Sequence, residues 1–374
     1  MRHQASTIGA RLAVLALSWL LCGPSAAQVA PLQGAAGTTI GVITGGVDGI
    51  EPRLAADLAA VLDERSPRIV PVVGKGSLQN LADLRNLPGL DLAFVQTDVL
   101  NRARKERLVP GLDAASYIAK LYKAELHLVV RREVASIAEL AGKKVNFDVA
   151  GSGTAVTGPA LFRLLDVPVE ATAFDNSAAI DKLRSGDIAG LAFVAGKPAP
   201  ILSDARLSDG FRLLPIPLRP EVLDEYLPSR LGAEDYPDLV QGGVAVDTVA
   251  VSTALIAGEA APGSDRYRRI AGLVEVLFGN FGSLGDSSRH PKWQEVSLAA
   301  ELPGWHRFAA AEEWLKQRAP APATEEPGAA AEPRVSSKNS VDPRRRDGAG
   351  RATRDEQNSQ VFEEFHRWHA AQQR

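Results

Sequence analysis

Apolar and polar positions alternate through Val145, Asn146, Phe147, Asp148 and Val149, a period-two pattern that predicts a strand. The strand runs into Ala150-Gly151-Ser152-Gly153-Thr154, where two glycines allow a tight turn and Thr154 suits the cap of a following helix. A second copy of this layout lies upstream. There a strand over Thr39–Ile43 meets the turn Thr44-Gly45-Gly46, and a helix begins near Pro52 with Leu54, Leu58 and Val61-Leu62 on one face.

Each copy is followed by a matching helix–strand unit. The first runs from Ser77-Leu78 through Leu84 and Gly89 to Ala93-Phe94-Val95. The second runs from Ser177 through Leu183 and Gly186 to Ala192-Phe193-Val194. Both open on a serine suited to N-capping and turn at a glycine. The strands end in Gln96-Thr97-Asp98 and Ala195-Gly196-Lys197. Ligands of open α/β sheets collect at the carboxyl ends of strands, so two related halves with polar strand ends predict a two-lobed binding protein.

Further along, Val70–Val73 and Leu121–Arg132 read as strands, and Ser136 with Glu139 forms a capping box. Two apolar runs, Leu126–Val130 and Val244–Val251, are suited to crossing between lobes, and Tyr267–Phe281 is an amphipathic helix. These elements divide the chain into one lobe of residues 39–130 plus 244–315 and a second of residues 131–243. Asn101–Arg107 reads as a solvated helix face.

Charge and composition narrow the function. A net charge of −3 gives no reason to expect nucleic acid, and 45% hydrophobic residues suffice for a sizeable core. Residues 1–27 read as a secretory signal: Arg2 and Arg11 precede the apolar run Leu12–Leu21, and Ser25-Ala26-Ala27 suits cleavage. Cys22 is the sole cysteine, so removal of the signal leaves no thiol chemistry. From residue 319 to about 360 the composition turns to Pro, Ala, Gly, Glu, Ser and Arg, which predicts a disordered tail. Phe362, Phe365 and Trp368 allow one short helix over residues 361–370.

Nucleotide loops fail on their own residues. A dinucleotide fingerprint needs glycine where Val156 stands, and a P-loop needs Lys-Ser/Thr where Pro159-Ala160 follows Gly158. The nucleophile-elbow pattern fails at Ala150. The six histidines form no cluster with a nucleophile or metal-ligand set, and no cofactor is expected.

The landmarks Thr44-Gly45-Gly46, Gly76-Ser77-Leu78-Gln79-Asn80, Ala93-Phe94-Val95-Gln96-Thr97-Asp98, His127-Leu128-Val129-Val130-Arg131, Gly151-Ser152-Gly153-Thr154 and Phe193-Val194-Ala195-Gly196 follow a familiar order. From Thr39 to Leu315 the chain resembles the TAXI class of solute receptors of TRAP (tripartite ATP-independent periplasmic) transporters. The resemblance implies an α/β, two-lobed periplasmic-binding-protein fold with a hinge and a central cleft. It also implies a monomer without catalysis that delivers a small organic solute to a membrane permease. By analogy, ligand contacts fall on Thr44, Gly45, Gly46, Ser77, Asn80, Gln96, Asp98, Ser152, Gly153, Thr154 and Ala195. Family members commonly place a Tyr-Tyr pair before the first helix; here Ile50-Glu51-Pro52 stands, and Asp48 and Glu51 add negative charge.

The backbone donors of two glycine-rich turns suggest a carboxylate-bearing solute. Lys197 is expected to supply added positive charge and Asp98 to hold an ammonium group if the solute is an amino acid. A receptor for an ABC importer, which shares the fold, and a periplasmic sensor subunit are the alternative readings.

Overall fold

The structure is a computed structural model that describes residues 39–62, 67–207 and 210–318. The expected signal, Cys22 and the tail with its helix at 361–370 lie outside the described residues. None of the described helices is long and apolar enough to cross a membrane.

The first half is built from β1 (Thr39–Thr44), α1 (Glu51–Leu62), β2 (Arg68–Val73), α2 (Ser77–Asn86), β3 (Leu90–Gln96) and α3 (Thr97–Lys105). The long β4 (Ser116–Arg131) then leads to β5 (Lys144–Asn146), α4 (Thr154–Leu164), β6 (Glu170–Thr172), α5 (Asn176–Ser185) and β7 (Gly190–Ala195). After β8 (Phe211–Leu213), α6 (Pro220–Leu223) and β9 (Leu227–Leu231), β10 (Val246–Ala257) returns along β4. Helices α7 (Asp265–Gly279) and α8 (Ala309–Arg318) complete the described chain.

The internal repetition read from the sequence is a repetition of topology. Main strand order is β2-β1-β3-β10-β4-β7-β5-β6, so each half carries a parallel trio flanked by one antiparallel long strand. In the first half the order is β2-β1-β3-β10, and in the second it is β6-β5-β7-β4. β1 therefore corresponds to β5, and the glycine turns after them face one another. Pro71 is accommodated because β2 is an edge strand and needs no donor on its outer side.

β4 and β10 pair with each other and reach into both halves. Glu125 marks the change of partner, pairing with Ala250 of β10 and with Ala195 of β7. Apolar burial runs through both halves, with Ile40, Leu54, Leu126, Phe147 and Phe162 in one connected cluster. At the change point the polar Glu125 is buried, and its Oε1 takes a 2.6 Å ion pair from Lys292, itself 3% exposed. Lys292 also pairs with Glu295 at 2.8 Å, so it is removal of Lys292 that would leave a buried charge, Glu125, without its counter-charge.

Several caps differ from the sequence reading. The capping box of Ser136 and Glu139 forms as expected. Thr154 begins α4 but does not cap it; its Oγ1 accepts from the Val194 amide (3.0 Å), and Ser152 Oγ accepts from the Ala155 amide instead (3.1 Å). Ser77 likewise accepts from the Gln96 amide at 2.9 Å. Asp175, not Ser177, caps α5 through the Ala178 amide. Thr154 and Ser77 thus each take a donor from a neighbouring strand rather than from their own helix.

Candidate functional site

The first glycine turn is closed by a side chain of its own helix. Glu51 opens α1, and its carboxylate lies against Gly45 and Gly49, with Oε2 2.7 Å from where a Cβ on Gly49 would sit. Tyr122 donates to Oε1 at 3.0 Å. Burial pushes the Glu51 carboxyl above its ordinary value, partly offset by its backbone amide and the Tyr122 hydroxyl. The helix start that was expected to receive an anion already holds one.

The second turn has a different occupant. Asp148 follows β5 with φ 62°, a left-handed conformation that aspartate tolerates better than most residues. Its carboxyl accepts from the Val149 amide and the Ser152 hydroxyl, while Ser152 in turn caps α4. Burial, aided by the charges of Asp48 and Asp175, raises the Asp148 carboxyl to about 6.

Between these turns lies a cavity of about 290 Å³. It is bounded by both glycine turns, by the loop Val73–Ser77, and by Phe94, Gln96, Phe193 and Val194 at the ends of β3 and β7. The halves meet directly around it. Gln79 donates its amide to Gly151 O at 2.9 Å, Asn176 Nδ2 to Asp48 Oδ2 at 3.1 Å, and Thr157 Oγ1 to Asp98 Oδ2 at 2.6 Å. Gly76 makes the closest backbone approach: its φ is 124°, and a Cβ there would stand 2.9 Å from Ser152 Cα.

Seven of the expected contact residues line the cavity: Gly45, Gly46, Ser77, Gln96, Ser152, Gly153 and Thr154. The other five stand behind it or away from it. Thr44 is fully buried, with its hydroxyl on Gly45 O and Val72 O. Asn80 is equally buried and binds Thr44 O and Phe94 O, so it fixes the loop and strand ends. Asp98 is held by Thr157, and burial raises its carboxyl. Ala195 pairs with Glu125 one residue beyond the wall. Lys197 is turned toward Asp235, with Nζ–Oδ2 at 2.7 Å and a further bond to Arg230 O at 3.0 Å. That ion pair takes the positive charge that Lys197 was expected to bring to a ligand.

Sequence reasoning missed Asp148, Asp175 and Asn176 as wall residues, although all three line the cavity. A polar residue directly before a glycine turn was the available signal for Asp148. His127, a landmark residue, sits behind the wall: Nδ1 donates to Phe193 O at 3.2 Å and Nε2 accepts from Tyr236 at 2.7 Å. Burial lowers its pKa to about 4, so it remains neutral and structural. No three His, Cys, Asp or Glu side chains among the described residues could share a metal ion.

Two mirrored halves closing on one cavity define the two-lobed α/β architecture of solute-binding proteins. Within that class the chain belongs to the NMT1-like family, whose model matches residues 44–302. Among solved structures the chain is similar to the periplasmic binding protein BugD, at 12% identity and TM-score 0.48, over 75% of this chain and 93% of that one. It is also similar to an ABC uptake transporter substrate-binding protein from Streptococcus pneumoniae with bound histidine (15% identity, TM-score 0.43, 69% and 90% covered). A third likeness is to the aliphatic sulphonate binding protein SsuA from Escherichia coli (17% identity, TM-score 0.37, 75% and 84% covered).

Proposed function

We propose that the chain is a periplasmic solute receptor of a TRAP-type secondary transporter, exported by its N-terminal signal. It captures a small organic solute by closure of two lobes, residues 39–130 with 244–315 and residues 131–243, and presents it to a membrane permease. The observation that carries this reading is the cavity at the carboxyl ends of two mirrored strand sets, spanned by hydrogen bonds from one half to the other. A solute touching both walls favours the closed form over the open one, which is the differential affinity that closure requires. The TRAP assignment rests on the order of the landmarks from Thr44 to Gly196.

Native mass spectrometry of gently purified full-length protein identifies the retained solute, and small-angle scattering with and without it measures closure. Expected is a smaller radius of gyration at saturation; an unchanged radius would argue against lobe closure. Uptake into vesicles carrying the cognate permease distinguishes the transporter types. Accumulation driven by an ion gradient without ATP supports the TRAP reading, and dependence on ATP replaces it with an ABC importer.

A further inference from the structure

The wall of the cavity is acidic. Asp48, Glu51, Asp148 and Asp175 line it from both halves, and Lys75, an exposed residue at the rim, is the cationic side chain among the described lining residues. A second observation points to what the wall lacks. Asn176 is 3% exposed and lines the same cavity; its Nδ2 donates to Asp48, which leaves Oδ1 as a buried acceptor with no hydrogen-bond partner. A buried acceptor of this kind is satisfied by an incoming N–H or O–H donor.

Part of the donor set expected to hold a carboxylate is already engaged. The Glu51 carboxylate occupies the first helix start, Ser152 Oγ takes the Ala155 amide at the second, and Lys197 is paired with Asp235. An incoming carboxylate would meet four acidic side chains, and like charges at close range cost affinity. A bare divalent ion is disfavoured because these carboxylates do not gather into a shared ligand set. Their spread around about 290 Å³ suits a small molecule with nitrogen donors on more than one side.

We infer that the cavity between the two glycine turns takes a small organic cation, a solute bearing an ammonium or similar N–H donor group. Asp48 and Asp148 hold its charge, and Asn176 Oδ1 accepts from it. This rests on the solute-receptor reading of the same cavity and names its substrate class.

The test is a melting-temperature panel on the full-length protein at neutral pH, using short-chain ammonium compounds, length-matched carboxylates and length-matched alcohols, each class followed by calorimetry on its hits. Ammonium compounds should raise the melting temperature while carboxylates do not. Two variants remove charge and keep local bonding: Asp148→Asn tolerates the same backbone conformation and keeps an acceptor for Ser152, and Asp48→Asn retains a partner for Asn176. In the double variant the cationic hits should bind about ten-fold or more weakly, as expected for lost charged hydrogen-bond partners. Binding by carboxylates or alcohols in place of ammonium compounds overturns the cation inference and leaves the receptor reading standing. Unchanged cation affinity in the double variant also overturns it. A panel in which no class binds overturns both readings.

Discussion

The two glycine turns occupy equivalent places in mirrored halves, yet they manage the start of the following helix differently. After β1, Glu51 folds back over Gly45 and Gly49 and places its own carboxylate at the head of α1. After β5, the neutral Ser152 caps α4, and Asp148 stands behind it in a left-handed backbone conformation. A glycine-rich turn before a helix therefore does not by itself define an anion site. What matters is which side chain reaches the free amides first. In both turns an internal oxygen does so, and the remaining polarity of the wall is acidic.

The comparison can be broken most forcefully where the loop Val73–Ser77 of the first half meets the second turn. Gly76→Val forces a side chain into a backbone region that suits glycine and against Ser152. The expected cost is about 3 kcal/mol, read as a lower denaturant midpoint, together with a larger radius of gyration. A variant as stable and compact as the parent would show that the two walls do not press together in solution.

Asp148→Asn has the next largest effect, and it depends on pH. The folded carboxyl sits at about 6 against an ordinary 3.8, so the folded state binds more protons than the unfolded chain between those values. Stability is therefore lost as pH rises through this window and stays lost above it. Asparagine tolerates the same backbone conformation and keeps an acceptor for Ser152. The variant should be more stable at neutral pH by on the order of 2 kcal/mol, with a flatter profile between pH 4 and about 6. Parallel profiles for the two proteins would remove Asp148 as the cause.

Ser152→Ala tests the cap itself. Loss of the bond to the Ala155 amide should cost about 1 kcal/mol by chemical denaturation. It also strips Asp148 of a hydroxyl donor, so the Asp148 carboxyl should titrate higher still in a carboxyl-resolved NMR titration. The smallest effect is expected from Lys197→Ala. Its partly exposed pair with Asp235 contributes below about 1 kcal/mol, and solute affinity should not change. A large loss of affinity would restore Lys197 to the site.

Most of the architecture was legible because strand alternation and helical stripes are local signals. The paired layout of Thr39–Val95 and Val145–Val194 is visible in the sequence itself, and it reappears as the matching orders β2-β1-β3 and β6-β5-β7. The site was legible as a location but less so in its chemistry. Ser77, Thr154 and Lys197 are residues with several possible partners, and the partners they take come from 19, 40 and 38 positions away. No local pattern ranks such distant bonds. The acidic wall escaped for a related reason. Asp48, Asp148 and Asp175 lie far apart in the chain, and their shared field exists only after both halves close on the same volume.

The paired long strands also govern how the halves can move. β4 and β10 form a two-ply strap, joined from Ala250–Glu125 to Ala257–Ser116. A strap of this kind resists sliding, because a one-residue slip would turn every side chain to the opposite face. Strand pairs carry a right-handed twist that varies in size, and a change of twist leaves the register intact. Register shifts after Ser252 and Leu255 interrupt the strap, and such irregularities locally increase twist. In the receptor reading proposed above, widening of the cleft comes as a rotation of one half against the other, with the two glycine turns separating along an arc.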